Sequence, residues 1–170
     1  MKKLFFALCA LLFSITAMAG SDIEVTQGDE KFFKKTDGTA TCVFIWDGAT
    51  YDGRMALSKK FKNLATLKKA SYNAFVEEFN KKSKHIQIVK GKAKYKITIR
   101  IKKIDQYFKV TGIVPANATK MWGTLTVTNS AGKKLLVATI DEVDGGSNRD
   151  PVGTFEDCFE DLGKQVAKLK

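Results

Sequence analysis

The sequence has few of the residues on which hydrolytic catalysis depends. It contains a single histidine, His85, which lies among lysines at the start of a predicted strand. A Ser-His-Asp or Cys-His set would therefore have only one side chain available as its base. The glycine-rich loops of nucleotide-binding proteins, the GxSxG elbow and the HExxH zinc motif are also absent. We therefore predict no catalytic residues and no cofactor, and we interpret His85 as structural or exposed.

Cysteine is scarce as well, and no CxxC motif occurs, which argues against a thiol oxidoreductase or a zinc ribbon. Cys9 lies in the predicted leader, so Cys42 and Cys158 remain. In an oxidising compartment two cysteines favour one disulfide, here closing a loop of over a hundred residues. Such a bond contributes about 4–5 kcal/mol in the chain-entropy model. The alternative is that each cysteine is a small buried apolar residue.

A long apolar run occurs only at the N-terminus. Residues 1–19 read MKKLFFALCALLFSITAMA, with the basic start, short apolar run and small-x-small cleavage site of a secretory signal peptide. Leu8 precedes Cys9 where a lipoprotein signal needs a small residue, so we predict no lipid anchor. We expect cleavage after Ala19 and a single domain at residues 20–170, soluble in the periplasm or outside the cell and without a transmembrane segment.

Two amphipathic helices are predicted. The first covers residues 67–82, and its apolar face follows the i, i+3, i+4, i+7 pattern of a helix: Tyr72, Phe75, Val76 and Phe79. Glu78 and Lys82 form an i,i+4 pair that we place on its solvent side. The second helix starts at Asp150-Pro151 or at Thr154. It carries a narrow apolar stripe: Phe155, Phe159, Leu162, Val166 and Leu169.

Strands are predicted in four places: a hairpin at residues 30–46 that turns at Asp37-Gly38, a short strand at 85–89, a long strand at 93–104, and a second hairpin at 121–143. Residues 47–62 are predicted as a loop. Residues 105–120 are ambiguous because Phe108 favours a strand whereas Gly112 and Pro115 interrupt it. This order predicts an α+β fold, with an antiparallel sheet of about five or six strands and two helices packed on one face.

The long strand carries a row of cations. Its apolar residues alternate with polar ones, so four basic residues fall on the side opposite the isoleucines: Lys94, Lys96, Arg100 and Lys102. Neighbours on one side of a strand are about 7 Å apart, so these charges repel unless they are hydrated or meet anions. One interpretation is an anion-binding surface. The alternative is the solvated side of a sheet whose other side is covered.

Charge is segregated along the chain, which favours an anionic partner. Residues 54–120 contain eighteen Lys or Arg against three acids, whereas residues 141–161 contain eight acids and one arginine. Such asymmetry creates a field that attracts anions. Because secretion separates the protein from cytosolic nucleic acid, we expect the partner to be an anionic envelope component or another envelope protein. Lipopolysaccharide phosphates, acidic polysaccharides and extracellular DNA all fit this description.

The acidic segment 141–150 provides an alternative function, a secreted enzyme or metal-binding protein that uses Asp141, Asp144 and Asp150. A calcium loop of the EF-hand type needs oxygen ligands at its third and fifth positions. Counted from Asp141, these positions are Val143 and Gly145, so the spacing fails. The structural alternative is a Gly-Gly turn into a helix whose N-terminus favours nearby acids.

Five segments carry a resemblance to other proteins: FIWDGATYDG, ASYNAFVEEFN, AKYKITIRI, WGTLTVTNSAGK and DLGKQVAKL. Together they resemble a group of small secreted proteins of unknown function from Gram-negative gut bacteria. The element order also looks like the periplasmic domain of the curli-secretion channel protein and related envelope lipoproteins, which implies a role in assembly. The chain lacks their lipid-attachment cysteine, and no catalytic residue carries over. We therefore expect a non-enzymatic binding module of the cell envelope or the secreted fraction.

Overall fold

A computed structural model describes residues 23–111, 114–148 and 150–169. The predicted signal peptide, residues 1–19, lies outside the described residues and stays a prediction. Within the described part of the chain, no helix has both the length and the apolar character that crossing a bilayer requires.

The described residues form an α+β fold with eight strands and four helices. The strands are β1 (Ile23–Gly28), β2 (Gly38–Ile45), β3 (Thr50–Tyr51), β4 (Met55–Ala56), β5 (Ile86–Ile88), β6 (Tyr95–Thr111), β7 (Val114–Asn129) and β8 (Lys134–Asn148). The helices are α1 (Phe32–Lys35), α2 (Leu57–Lys60), α3 (Leu64–Lys82) and α4 (Pro151–Ala167). The predicted fold class is confirmed, but five or six strands was too few, because the two-residue strands β3 and β4 and the edge strand β1 gave no clear pattern.

One sheet has the order β1-β8-β7-β6-β2-β5, with β3 joined to β6 and β4 to β3. Strands β6, β7 and β8 form a long antiparallel meander, so the predicted strand at 93–104 and hairpin at 121–143 are both confirmed. Both strands of the β6–β7 hairpin extend into the ambiguous segment 105–120. Gly112, a predicted break, lies outside the described residues, and Pro115 lies within β7.

The predicted hairpin at residues 30–46 is wrong. Phe32 and Phe33 begin α1, and β2 runs parallel to both β5 and β6. The reason is that adjacent side chains of a strand point to opposite sides of the sheet, whereas one helical turn directs both phenylalanines into the core. The ring of Phe32 packs edge-on against Tyr95 at 5.3 Å, and that of Phe33 packs against Phe79 at 5.6 Å.

Helices α3 and α4 pack against each other over the apolar side of the sheet. The ring of Phe44 on β2 contacts Phe75 of α3 at 5.3 Å and Phe159 of α4 at 5.4 Å. The whole predicted stripe of α4 is buried. Of the two predicted starts of α4, the structure has the one at Asp150, whose carboxylate accepts a hydrogen bond from the Gly153 amide at 3.2 Å and caps the helix.

The prediction that Glu78 lies on the solvent side of α3 is wrong, because Glu78 is only 5% exposed. Helix α4 approaches this flank closely at Gly163, where an added methyl group would lie 2.8 Å from the Phe75 carbonyl oxygen. Burial opposes ionisation of Glu78, but a hydrogen bond from Lys81 and the charges of Lys82 and Lys164 lower its pKa below the ordinary value. The helix–helix contact therefore encloses an ionised carboxylate that two lysines neutralise.

Cys42 and Cys158 are both buried free thiols in the structure. Burial raises the pKa of Cys42 to about 12 and raises that of Cys158 as well, so neither is a reactive thiolate at neutral pH. Cys42 lies on β2, whereas Cys158 lies over β8, where its thiol donates to the Val143 carbonyl at 3.4 Å. Strands β2 and β8 are three steps apart, about 14 Å in a flat sheet. Because bonded cysteines need Cα atoms within about 7 Å, a disulfide would require the backbone to move.

Candidate anion-binding face

The sheet has one side covered by helices and one open side, and the predicted cations lie on the open side. On β6, Ile97 and Ile99 are fully buried, whereas Lys96 and Arg100 are exposed. The alternation that the sequence predicted for this strand is therefore confirmed. Lys96 and Arg100 are four positions apart, so their Cα atoms are about 13 Å apart along the strand.

Among the described strands, no carboxylate lies beside these two cations in the sheet. Six residues on the flanking strands are level with residues 96, 98 and 100, and all carry hydroxyl or aliphatic side chains: Thr41, Val43 and Ile45 on β2, and Thr128, Thr126 and Thr124 on β7. Cross-strand neighbours on one side of a sheet are about 5 Å apart and are the first partners that a charge meets. Lys96 and Arg100 therefore meet only neutral side chains across both strand pairs.

Lys94 and Lys102 are exposed but lie outside this row. Lys94 precedes β6, and its ammonium lies 5.1 Å from the centre of the Tyr95 ring. Lys102 occupies a bulge between Ile101 and Lys103, where the pairing of β6 with β7 shifts by one residue. The bulge faces Gly123, where an added methyl group would lie 2.4 Å from the Arg100 carbonyl oxygen. The four predicted residues thus form a central pair with one flanking cation at each end.

Within residues 23–111, 114–148 and 150–169, none of these four cations takes part in an ion pair. A further exposed cation, Lys134 on β8, lies opposite Thr128, which in turn lies opposite Lys96. No pattern in the sequence points to Lys134, because only the pairing of β7 with β8 brings it level with Lys96. Three unpaired cations therefore surround a patch of threonines.

In the other half of the open side, beyond the bulge at Lys102, Lys103 and Lys120 both contact other groups of the protein. The Lys103 ammonium lies 3.5 Å from the centre of the Trp122 ring. Lys120 pairs with Glu142 and lies 4.7 Å from the centre of the Tyr107 ring. The hydrogen bond to Glu142 raises the pKa of Lys120, so the Lys120 ammonium stays protonated at neutral pH. Lys120 therefore has an ionic partner and Lys103 an aromatic one within the same chain.

Two of the three predicted carboxylates, Asp144 and Asp150, are engaged within the fold. Asp144 accepts a hydrogen bond from the Tyr107 hydroxyl at 2.6 Å, and burial together with this bond raises the pKa of Tyr107. Asp150 caps α4 and Asp141 is exposed. Across the described residues, no group of three or more His, Cys, Asp or Glu side chains is close enough to hold a metal ion.

His85 lies immediately before β5, and its Nδ1 is 2.7 Å from an Asp37 carboxylate oxygen. Both side chains are exposed, at 39% and 84%. The contact joins the start of β5 to the start of β2, where the Gly38 amide also donates to the His85 carbonyl. The geometry is that of a surface pair that stabilises a strand junction.

No protein-family model matches the chain, and no curated protein is significantly similar to it. Among solved structures, the PelC dodecamer from Paraburkholderia phytofirmans in space group P6 is similar, with a TM-score of 0.47 and 13% identity over 87% of this chain and 98% of that chain. A variant of that dodecamer in space group C2 has a TM-score of 0.43 and 10% identity over the same shares. The predicted resemblance to small secreted proteins and to the curli-secretion channel protein stays a prediction.

Proposed function

We propose that the protein is a non-enzymatic binding module of the cell envelope or the secreted fraction, which holds an anionic ligand on the open side of its sheet. The observation that supports this proposal is that Lys96 and Arg100 are exposed and have only neutral cross-strand neighbours. An unpaired cation repels its neighbours and gains nothing from the fold, so its free charge is available to a ligand.

The sheet makes this pair of charges a rigid arrangement. The residues between Lys96 and Arg100 that face inward are fully buried, and β2 and β7 hold β6 from both sides. The backbone spacing of the two cations is therefore fixed before the ligand arrives, which lowers the entropic cost of binding. Lys94, Lys102 and Lys134 surround the pair and add to the local positive field.

The predicted signal peptide and the charge of the chain favour an envelope partner. The full sequence has a formal net charge of +11 at pH 7. A surface of this kind attracts polyanions over a distance of about 8 Å at physiological ionic strength. Anionic glycolipids, acidic polysaccharides or an acidic patch of another envelope protein would each meet this field outside the cytoplasm.

The test is charge reversal on the open side. Wild-type protein and a Lys96→Glu, Arg100→Glu variant are titrated with heparin and with lipopolysaccharide by isothermal titration calorimetry. We expect the variant to bind at least about tenfold more weakly, because two exposed ion pairs become two repulsions. Wild-type binding should weaken steeply as ionic strength rises.

A matched control separates a defined site from overall charge. Lys62 lies just before α3 and Lys69 lies in its second turn, and both are exposed. Lys62→Glu, Lys69→Glu therefore changes the net charge by the same amount at a place away from the β6 cations. This control should bind within about twofold of wild type. Equal loss in both variants would mean that net charge alone attracts the ligand, and no loss in either would leave the open side as a solvated surface.

A further inference from the structure

The cations of the open side stand within an array of threonines. Three of these residues follow each other on β7 at every second position, and two more lie beside them on β6 and β8: Thr124, Thr126, Thr128, Thr98 and Thr139. Thr98 pairs with Thr126, and Thr124 pairs with Thr139. Spacings are about 7 Å along a strand and about 5 Å across strands. Each of these threonines is partly exposed.

The hydroxyls of this array are available to form hydrogen bonds with a ligand. Within the described chain, the threonine hydroxyls that bond to other protein groups belong to Thr26, Thr50, Thr119 and Thr154, which all lie outside the array. A threonine hydroxyl can donate one hydrogen bond and accept two. The array therefore offers a regular set of neutral donors and acceptors, interspersed with Lys96 and Arg100.

The shape of this surface favours an extended ligand. Small molecules bind in concave sites that enclose most of their surface, whereas the array lies on the open side of a sheet. A polymer that repeats the same weak contact along the surface gains affinity because each further contact is intramolecular. Neutral hydroxyls extend from β6 across β7 to β8, beyond the Lys96–Arg100 row, so a matching polymer carries hydroxyl groups as well as anions.

Trp122 extends the array at one end. It lies two residues before Thr124 on β7, opposite Lys103, and it is partly exposed. The apolar C–H face of a sugar ring packs well on an indole ring, whose large surface is mostly apolar. The Lys103 ammonium lies over this ring. A carboxylate or sulfate of the ligand can form an ion pair with Lys103, and the ammonium would then leave the ring face and expose it to the sugar.

From this combination we propose that the ligand is an acidic polysaccharide, whose anionic groups pair with Lys96 and Arg100 while its hydroxyls bond to Thr98 and Thr126. Trp122 packs against one of its sugar rings. The inference rests on the proposed function, because it names the chemical class of the anion that the open side binds.

The experiment compares five polymers at equal concentration of charge or of sugar and at one ionic strength. Heparin and polygalacturonate are acidic polysaccharides, polyphosphate and double-stranded DNA are polyanions in which free sugar hydroxyls are absent, and dextran is a neutral polysaccharide. Wild type is compared with Thr98→Val, Thr126→Val. Valine keeps the branched shape and the strand preference of threonine, so the variant loses two hydroxyls and retains the fold.

We expect wild type to prefer heparin and polygalacturonate over polyphosphate, DNA and dextran. The valine variant should lose at least about fivefold in affinity for the acidic polysaccharides, because two hydrogen bonds are lost, and should bind polyphosphate as wild type does. A Trp122→Phe variant should lose the change in tryptophan fluorescence that polygalacturonate produces in wild type.

The inference is overturned if polyphosphate or DNA binds as tightly as the acidic polysaccharides and the valine variant binds all polymers like wild type. In that case the proposed function survives, because the open side still binds polyanions. Dextran binding that equals polygalacturonate binding also overturns the inference, since the cations would then be unnecessary. If wild type binds none of the polyanions, the proposed function itself fails.

Discussion

The two halves of the open sheet side differ in how their cations are used. In the first half, Lys96 and Arg100 stand among threonines and aliphatic residues without an ionic partner among the described residues. In the second half, Lys103 lies over Trp122 and Lys120 pairs with Glu142. All four cations lie on one side of the sheet, Lys103 because the bulge at Lys102 shifts the alternation, but the groups beside each cation decide whether its charge already has a partner. Unpaired cations are the candidates for binding, and paired ones serve the fold.

We expect the largest effect from disturbing the contact between β8 and α4, which lies beneath the half that contains Lys103 and Lys120. Gly145 of β8 contacts α4 so closely that an added methyl group would lie 2.4 Å from the Cys158 backbone nitrogen. We expect Gly145→Ala to lower the free energy of unfolding by about 2–3 kcal/mol, because backbone atoms cannot yield as side chains do. Urea denaturation measures this change.

Gly146 provides the control for this substitution. A methyl group added there meets only the Asp157 side chain, at 3.4 Å, so Gly146→Ala should change stability by less than about 1 kcal/mol. Similar losses for the two variants would show that the close approach of α4 to β8 does not hold this half in place.

A second prediction concerns alkaline pH and again separates the halves. In the folded protein the pKa of Tyr107 is raised above its ordinary value of 10.0, and that of Lys120 is raised above 10.5. A raised folded pKa contributes stability that is present below the unfolded pKa and is lost as pH rises through the folded one. Thermal stability should therefore decline above about pH 10.

Tyr107→Phe should reduce this alkaline decline, because its phenol and the bond to Asp144 are removed. Tyr51→Phe is the matched control, since Tyr51 packs edge-on against Phe61 away from this cluster. Melting temperatures across pH 7–11.5 decide the point. An unchanged alkaline decline in Tyr107→Phe would argue against the Tyr107–Asp144 contact as its source.

A third prediction compares the substitution of one cation in each half, by its effect on stability and on heparin affinity. Lys120→Met should cost about 1 kcal/mol of stability, because it leaves Glu142 without its partner, while heparin affinity stays within about twofold. Lys96→Met should do the opposite, with stability within about 0.5 kcal/mol of wild type and a severalfold weaker affinity. If both variants affect affinity equally, the distinction between unpaired and paired cations has no functional meaning.

The smallest expected effect is the response to metal ions. Asp144 and Asp150, two of the three carboxylates in the alternative function, are engaged with Tyr107 and with the first turn of α4. Calcium or zinc should therefore leave the melting temperature unchanged, because a ligand that does not bind the folded state cannot stabilise it. A rise that disappears in an Asp141→Asn, Asp144→Asn variant would instead support metal binding.

Much of the fold followed from periodic patterns. Alternation placed Lys96 and Arg100 on the open side, and the 4-3 spacing of apolar residues defined the buried stripe of α4, because both depend only on neighbours along the chain. The wrong predictions concerned residues whose contacts are distant in the sequence. The burial of Glu78 follows from the approach of α4 at Gly163, and the displacement of Lys102 follows from the bulge opposite Gly123. Spacing along a strand could not predict either contact.

The candidate site was predictable to the same degree. The sequence placed four cations in one segment, but their separation into a central pair and two flanking residues required the strand bounds and the bulge. Lys134 belongs to the site only because β8 pairs with β7, which places it opposite Thr128. Alternation therefore predicted the open side for Lys96 and Arg100, whereas the partners of the charges could be identified only from the pairing of the strands.

We expect the half of the open side that contains Lys96 and Arg100 to bind anions as a defined site. The most direct measurement is the heparin dissociation constant of wild type, of Lys96→Glu, Arg100→Glu, and of the charge-matched Lys62→Glu, Lys69→Glu, at several salt concentrations. We predict a loss of at least about tenfold in the first variant and less than about twofold in the second. Equal dissociation constants for the two variants would contradict the claim.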